Sequence, residues 1–233
     1  MAKNLILLVI ALILLSITGC ENSETHPVEE NTSAPVLLTP SYDSETSVEE
    51  ALRSRRSVRT YSSAPLSLSE VSQLLWAAQG ITDPDGWRTA PSAGALYPLE
   101  MYLLAGNVTD LPVGVYHYHP QDHKLTLVRE GDIRQQLFEA ALRQSAVKDG
   151  AIVLIISAEY ERTTVKYGER GIRYVHMEVG HVSQNVYLQA ESLGLGTVFI
   201  GAFHDDEVRT LLQLSEEEAP LGLMPVGKLP SSD

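Results

Sequence analysis

The sequence predicts an α+β fold in which a few strands are covered by helices. The longest periodic segment, residues 172–193, repeats apolar residues at steps of three or four, which is typical of one helix face. The few strand-like runs are separated by helices and by one hairpin. Residues 48–230 contain no internal repeat, so we predict one globular domain there.

Helices are predicted over 48–56, 68–79, 132–144, 172–193 and 205–214. The first two follow capping-box patterns, Thr46-x-x-Glu49 and Ser67-x-x-Glu70. Strands are predicted over 99–105, 114–119, 124–128, 151–157 and 197–203, and residues 81–98 form a turn-rich loop. Gly201 falls in the middle of the last apolar run, where a helix stop does not explain it. A glycine there lets a flat ligand approach the backbone.

The first twenty residues predict an export signal. A short basic start precedes the apolar run 5–15, which is shorter than the roughly 20 residues of a spanning helix. The closing residues 17–20 resemble the lipobox of bacterial-type lipoproteins, in which Cys20 is lipidated; an uncleaved N-terminal anchor is the alternative. Either places the protein on the outer side of a membrane. Residues 21–47 are polar and aperiodic, so we predict a flexible tether.

The chain is acidic and poor in cysteine, which excludes several functions. It carries 17 Lys plus Arg against 30 Asp plus Glu, a net charge of −13. Nucleic acid is therefore not expected, because its binding depends on neutralising phosphates. Cys20 is the only cysteine, so a lipidated Cys20 leaves the domain without a thiolate nucleophile. His117, His119 and His123 lie close in sequence, but no carboxylate is obviously placed to complete a site, and we predict no metal.

Four arginines stand out against this background: Arg53, Arg55, Arg56 and Arg59 fall within nine residues. A guanidinium donates two hydrogen bonds at once to a phosphate. An extended backbone near Ser57 would place Arg55, Ser57 and Arg59 on one face. The alternative is a basic helix end, stabilised by the helix dipole.

Several motifs carry a resemblance to a known family. The stretches RRSVRTY, QNVYLQAESLGLGTVFIGAF and MPVGKLP resemble the FMN-dependent nitroreductase superfamily. PSAGALYPLEMYLL (91–104) and KYGERGIRYVHMEVGHVSQN (166–185) are similar to its SagB/ThcOx-type dehydrogenase branch. The resemblance covers residues 48–230. It implies a nitroreductase-like fold with a central, mostly antiparallel sheet flanked by helices.

The resemblance also implies FMN as cofactor and a role for each matching position. The segment 55–59 and a basic residue near the C-terminus would hold the phosphate and ribityl chain. A strand backbone would approach the N5/O4 edge of the flavin, and a loop, usually from the other subunit of a homodimer, would reach the ring. The cofactor-binding residues are then Arg55, Arg56, Ser57, Arg59, Ser92, Ala93, Gly94, Ile200, Gly201 and Lys228.

Lys166 and Tyr167 match a pair that azoline-oxidising relatives use to handle protons, so they are the predicted catalytic residues; a surface ion-pair segment is the alternative. Ala95 and Tyr97 depart from classical nitroreductases, which carry Asn and Gln in this loop. The implied function is FMN-dependent oxidoreduction of a small-molecule or peptide-derived substrate, by two-electron transfer through flavin N5. The alternatives are another reaction, such as reductive cleavage, and a non-catalytic, membrane-tethered flavin-binding lipoprotein. An exported enzyme meets little NAD(P)H, so its electron donor stays open.

Overall fold

The computed structural model describes residues 35–231. The predicted export signal and the lipidation site Cys20 lie outside them. Within these residues, no helix has both the length and the apolar character needed to cross a membrane.

A six-stranded antiparallel sheet forms the centre of the described domain. Its strands are β1 (Leu99–Ala105), β2 (Gly114–His119), β3 (Lys124–Glu130), β4 (Ile152–Glu159), β5 (Leu195–Thr197) and β6 (Glu218–Lys228). Their order across the sheet is β3-β2-β1-β4-β6-β5. Seven of the eight residues of β4 are buried, since it lies between β1 and β6 and is covered on both faces. This explains its continuous apolar sequence.

Helices cover both faces of the sheet, so the predicted α+β class is confirmed. In the described part of the chain they are α1 (Val48–Ser54), α2 (Leu68–Gln79), α3 (Arg134–Ala140), α4 (Ser145–Asp149), α5 (Glu161–Tyr167), α6 (Arg170–Ser192) and α7 (Asp205–Leu212). The core on one face joins α2 and α6 to the sheet, for example through Leu74, Val182 and Leu103. The core on the other face joins α3, α4 and α7 through Leu137, Val147 and Val208.

Several predicted boundaries need correction. The cap of α1 is Ser47, whose hydroxyl accepts from the Glu50 N–H, rather than Thr46. The predicted helix 132–144 is shorter, because Leu142 and Arg143 adopt positive φ and α3 ends at Ala140; the helix α4 that follows was not predicted. The capping box of α2 is confirmed.

The predicted strand 197–203 is also wrong beyond Thr197. The chain leaves the ladder there, and Ile200 makes only an isolated bridge to Leu223. Gly201 therefore lies outside a strand and is exposed.

Part of the predicted tether packs on the domain. Leu37 is buried, and the Ser41 N–H donates to Gln73 Oε1 at 2.8 Å. Ser72 Oγ donates to the Leu38 carbonyl at 2.6 Å. The packed region therefore extends N-terminally beyond residue 48, over the surface of α2.

Candidate functional site

The arginine segment lies along the edge of the sheet, beside β5. The backbone turns from helical to extended at Arg55, the C-cap of α1. Ser57 then forms a parallel bridge with Thr197, and the Val58 N–H donates to the Thr197 carbonyl at 2.8 Å. Since β5 is an edge strand, these contacts hold the segment as an addition to the sheet.

Two glycines allow the segment to lie this close. A Cβ on Gly196 would come within 2.7 Å of Val58 Cγ1. A Cβ on Gly227 would come within 2.7 Å of Tyr61 Cβ. Both positions therefore require glycine for close backbone approach. They also place the segment beside Lys228, which follows Gly227 and pairs with Leu195.

Arg56 bonds the end of its own helix in this structure. Its NH1 donates to the carbonyls of Arg53, Ser54 and Arg55 at 3.0, 3.2 and 2.8 Å. The guanidinium thus caps the C-terminal end of α1, where a cation is favourable. For this one arginine, the helix-end alternative describes the geometry.

Arg55 instead points towards α6. Its guanidinium carbon lies 5.1 Å from the ring centroid of Tyr187, a cation–π distance. The Tyr187 hydroxyl lies 3.1 Å from Ser57 Oγ and accepts from the Phe199 N–H at 2.7 Å. Neither Arg55 nor Arg59 forms an ion pair with a carboxylate in residues 35–231. Both charges are available to an anion.

Lys228 is placed nearby but is already engaged. Its ammonium pairs with Glu70 Oε1, and its carbonyl accepts from the Ser62 N–H at 2.9 Å. Glu70 Oε2 accepts from the Ser67 N–H at 2.9 Å and so also caps α2. Burial alone would raise the pKa of Glu70, but the hydrogen bonds from Lys228 and Ser67 outweigh it and leave the pKa below its usual value.

Ile200 and Gly201 follow β5 in the chain. Ile200 exchanges two backbone hydrogen bonds with Leu223, at 2.8 and 2.9 Å. Gly201 follows it four residues after Thr197, hence within about 14 Å of that residue. The Gly201 N–H has no hydrogen-bond partner in the described chain, and a Cβ here would meet only Phe199, at 3.4 Å. We call Arg55, Ser57, Arg59, Gly201 and Lys228 the arginine cluster.

A second group joins the predicted loop to the predicted catalytic pair. Gly94 has φ 65°, and a Cβ on it would lie 2.7 Å from Tyr167 Oη and 2.9 Å from Lys166 Nζ. The 3₁₀ turn Ala93–Ala95 therefore touches the end of α5. Ser92 Oγ accepts from the Tyr97 N–H at 2.9 Å, which closes the loop. We call Ser92, Ala93, Gly94, Lys166 and Tyr167 the lysine cluster.

Arg162 ties the lysine cluster to the sheet, a role that the sequence did not suggest. It bonds Glu100 Oε1 and Glu159 Oε1, both at 2.6 Å, and donates to the Tyr97 carbonyl at 3.2 Å. Burial would raise the pKa of Glu100, but His117 and Arg162 lower it overall. The ion pairs fix α5 against β1 and the loop.

Glu178 lies beneath the same loop and was also missed. It is only 2% exposed, on the inner face of α6, and burial raises its pKa despite neighbouring Ser92, Gln79 and Arg88. Arg88 NH1 donates to Gln79 Oε1 at 2.8 Å. A lone acidic residue inside the apolar stripe of the long helix was the sequence signal for it.

The two clusters lie at different levels of α6. Tyr167 packs edge-on against Tyr174, with ring centroids 5.1 Å apart, whereas Arg55 contacts Tyr187. Tyr174 and Tyr187 are thirteen residues apart in α6. Since an α-helix rises about 1.5 Å per residue, they are separated by about 20 Å along it. The two clusters therefore contact different parts of α6.

The histidines of the hairpin point to different partners. His117 Nε2 lies 2.8 Å from Glu100 Oε2, and His119 Nε2 lies 2.9 Å from Thr126 Oγ1. His123 contacts Ser72 and the Tyr118 hydroxyl. Within residues 35–231, no group of three His, Cys, Asp or Glu side chains is arranged to hold a metal ion.

A cavity of about 290 Å³ opens between residues 41–48, α2 and the C-terminal part of α6. Trp76, Asn185 and Gln189 are among its lining residues, and none of the predicted site residues lines it. Neither cluster is therefore part of this cavity.

Comparison with known proteins identifies the class to which this arrangement belongs. The model of the Nitroreductase family matches residues 52–228. The chain belongs to the nitroreductase family, whose members typically bind FMN.

Individual relatives agree. The nitroreductase-type protein MJ1384 of Methanocaldococcus jannaschii is 53% identical over 184 residues, covering 79% of this chain and 92% of that protein. The microcin B17-processing protein McbC of Escherichia coli is 32% identical over 164 residues; the match covers 67% of this chain and 60% of McbC. The crystal structure of a nitroreductase-type protein of Anabaena variabilis superposes with a TM-score of 0.75 at 28% identity, covering 94% of this chain and 45% of that longer chain. The nitroreductase-like fold that the motifs imply is thereby confirmed.

Proposed function

We propose that this protein is an FMN-dependent oxidoreductase of the SagB/ThcOx type. One observation carries the proposal: Arg55 and Arg59, two guanidiniums without carboxylate partners in residues 35–231, flank the segment that bonds to β5, and the chain leads from β5 to the open backbone N–H at Gly201. The sequence similarity to McbC, a microcin-processing protein, supports this branch of the family.

The residues of the arginine cluster fit FMN. A phosphate monoester carries a charge of about −1.5 to −2 near neutral pH, and Arg55 and Arg59 supply two positive charges. Ser57 adds a hydroxyl between them. The N–H of Gly201 would donate to the edge of the flavin, and Ile200 would pack beside the ring. FMN supplies two-electron redox chemistry when it is bound.

The lysine cluster would handle protons. Lys166 Nζ and Tyr167 Oη point at the same spot beside Gly94, so both can serve one substrate atom. Lys166 would hold or release a proton there, with the Tyr167 hydroxyl as its neighbouring donor. Arg162 orients both by fixing α5.

Two copies of the chain would complete each site. Because Tyr174 beside the lysine cluster and Tyr187 beside the arginine cluster are about 20 Å apart along α6, a homodimer offers the simplest way to bring the lysine cluster of one copy to the arginine cluster of the other. Gly180 supports this arrangement. It is exposed in the middle of α6, and no atom of the described chain lies within 4 Å of the place of its Cβ. A mid-helix glycine costs about 1 kcal/mol relative to alanine, and a closely crossing second helix would explain its presence.

The membrane tether remains part of the proposal on sequence grounds. The apolar run 5–15 and Cys20 support a lipid anchor on the outer side of the cell membrane. Palmitate labelling of the full chain, abolished by Cys20→Ser, tests it. Labelling that persists in the variant would contradict it.

The absorbance spectrum tests the function. Protein purified from a flavin-sufficient host should be yellow, release FMN on denaturation, and bleach with a reductant before recovering with air or quinones. Saturable reduction in stopped-flow separates an enzyme from a flavin carrier. A colourless protein that takes up no added FMN would contradict the proposal. Substrate screening then separates dehydrogenation from reductive cleavage, for which the same clusters would serve.

A further inference from the structure

The ion pair between Glu70 and Lys228 joins the arginine cluster to α2. Lys228 ends β6 and is held by the Ser62 N–H, three residues after Arg59. Its ammonium bonds Glu70 Oε1 on α2. The side chains are 34% and 17% exposed, so the carboxylate is largely screened from solvent while the lysine remains accessible.

This pairing changes the charge of the cluster. Lys228 and Glu70 together contribute no net charge, which leaves Arg55 and Arg59 with two positive charges. That sum matches one phosphate monoester of about −1.5 to −2. A phosphate that approached Lys228 would also approach Glu70, and the like charges would repel each other at a partly buried position where screening is weak.

We propose that Glu70 is a specificity-determining residue for the cofactor phosphate. By holding Lys228 in an ion pair, it limits the positive charge that faces the phosphate and so lowers the affinity for FMN. The inference rests on the proposed function and adds an assignment to it. Phosphate recognition falls mainly to Arg55 and Arg59, and Lys228 serves chiefly to neutralise Glu70.

The two oxygens of Glu70 allow its roles to be separated. Oε2 accepts from the Ser67 N–H and hydroxyl and closes the capping box, whereas Oε1 accepts from Lys228. Glutamine also closes a capping box. Glu70→Gln therefore retains the cap of α2 but removes the charge that faces Lys228.

A double-mutant cycle tests the proposal by titrating deflavinated protein with FMN. We expect Glu70→Gln to bind FMN roughly three- to tenfold more tightly, because it frees the charge of Lys228. Lys228→Met should bind FMN more weakly by a similar factor, because it leaves Glu70 unpaired. The double variant Glu70→Gln/Lys228→Met should return to within about twofold of the wild type.

Controls separate this effect from net charge and from folding. Glu139→Gln makes the same substitution in another ion pair, with Arg143, and should leave FMN affinity unchanged. Riboflavin, which lacks the phosphate, should bind equally to all variants. If the wild type binds FMN but Glu70→Gln binds it no more tightly, or if the double variant is as weak as Lys228→Met, the inference is overturned and the proposed function stands. If the wild type binds neither flavin, both fall.

Discussion

The guanidinium of Arg55 lies over the ring of Tyr187, 5.1 Å from its centroid. The contact directs Arg55 to α6, whereas Arg56 caps the end of α1. Arg55 and Arg56 therefore make different contacts, and the effects of replacing each can be compared.

Replacement of Arg55 and Arg59 together by alanine should remove FMN binding while the domain stays folded. Each lost charge-assisted hydrogen bond costs about 1.5–3 kcal/mol, so affinity should fall by roughly a hundredfold or more. Fluorescence titration with FMN measures the loss, and circular dichroism checks the fold. Arg56→Ala is the matched control: it should lower the melting temperature slightly and leave FMN affinity intact. Unchanged affinity in the double variant would contradict the phosphate role.

Two inactive variants should restore activity when they share a dimer. Arg55→Ala/Arg59→Ala damages only the arginine cluster, and Lys166→Met damages only the lysine cluster. A mixed dimer in which each copy carries one defect contains one intact site, so about half the wild-type activity per dimer is expected. Co-expression with two affinity tags isolates that mixed dimer. Its inactivity would show that both clusters serve a site within one chain.

Gly94→Ala should impair the lysine cluster more than backbone strain alone explains. Gly94 and Gly86 both have positive φ, where alanine costs about 1–2 kcal/mol. Only at Gly94 does the new methyl also meet Tyr167 and Lys166, whereas nothing lies within 4 Å at Gly86. Chemical unfolding and steady-state kinetics should therefore show similar stability losses but a selective loss of turnover in Gly94→Ala. Equal turnover in both variants would rule out the contact.

Gly180→Leu should shift the protein from dimer to monomer without unfolding it. The position has space within its own chain, and leucine favours helix over glycine by most of 1 kcal/mol. A closely crossing helix would have no room for the side chain. Light scattering after size exclusion reports the mass, and thermal melting reports the fold. Persistence of a dimer in this variant would place the interface elsewhere.

Glu178→Gln should alter how stability depends on pH. Burial raises the pKa of Glu178, so the folded protein retains this proton to higher pH than the unfolded chain does. Stability is therefore lost as the pH rises through the folded-state pKa. The amide removes that loss, so the variant should melt above the wild type at pH 8 and nearly match it below about pH 4. Melting curves that stay parallel from pH 4 to 9 would refute this assignment.

Local signals predicted the longer helices but missed the short helices α4 and α5, and they predicted the strands less evenly. The capping box at Ser67 and Glu70 and the apolar stripe of α6 depend on neighbouring residues alone, and both were confirmed. β6 was missed because Pro220, Gly222, Pro225 and Gly227 interrupt its pattern. It forms since β4 and β5 supply partners on both sides.

The site was predictable in its residue types but not in its grouping. The contact of Gly94 with Lys166 and Tyr167 joins residues more than seventy positions apart, and no spacing rule reveals it. Arg55 and Arg56 face different partners because of the residue at which α1 ends, and sequence patterns do not locate a helix end to within one residue. The capping box already explained why Glu70 occurs at its position, so its pairing with Lys228 was not predicted.

The position of β6 in the sheet has a consequence for biosynthesis. This strand inserts between β4 and β5, which come earlier in the chain, and β5 pairs with no other strand of the sheet. Until residues 218–228 have been synthesised, β5 lacks its partner strand, and the sheet edge that binds the arginine segment cannot form. The flavin site proposed above would then form only after nearly the whole domain has been translated, so unfinished chains would not bind the ligand.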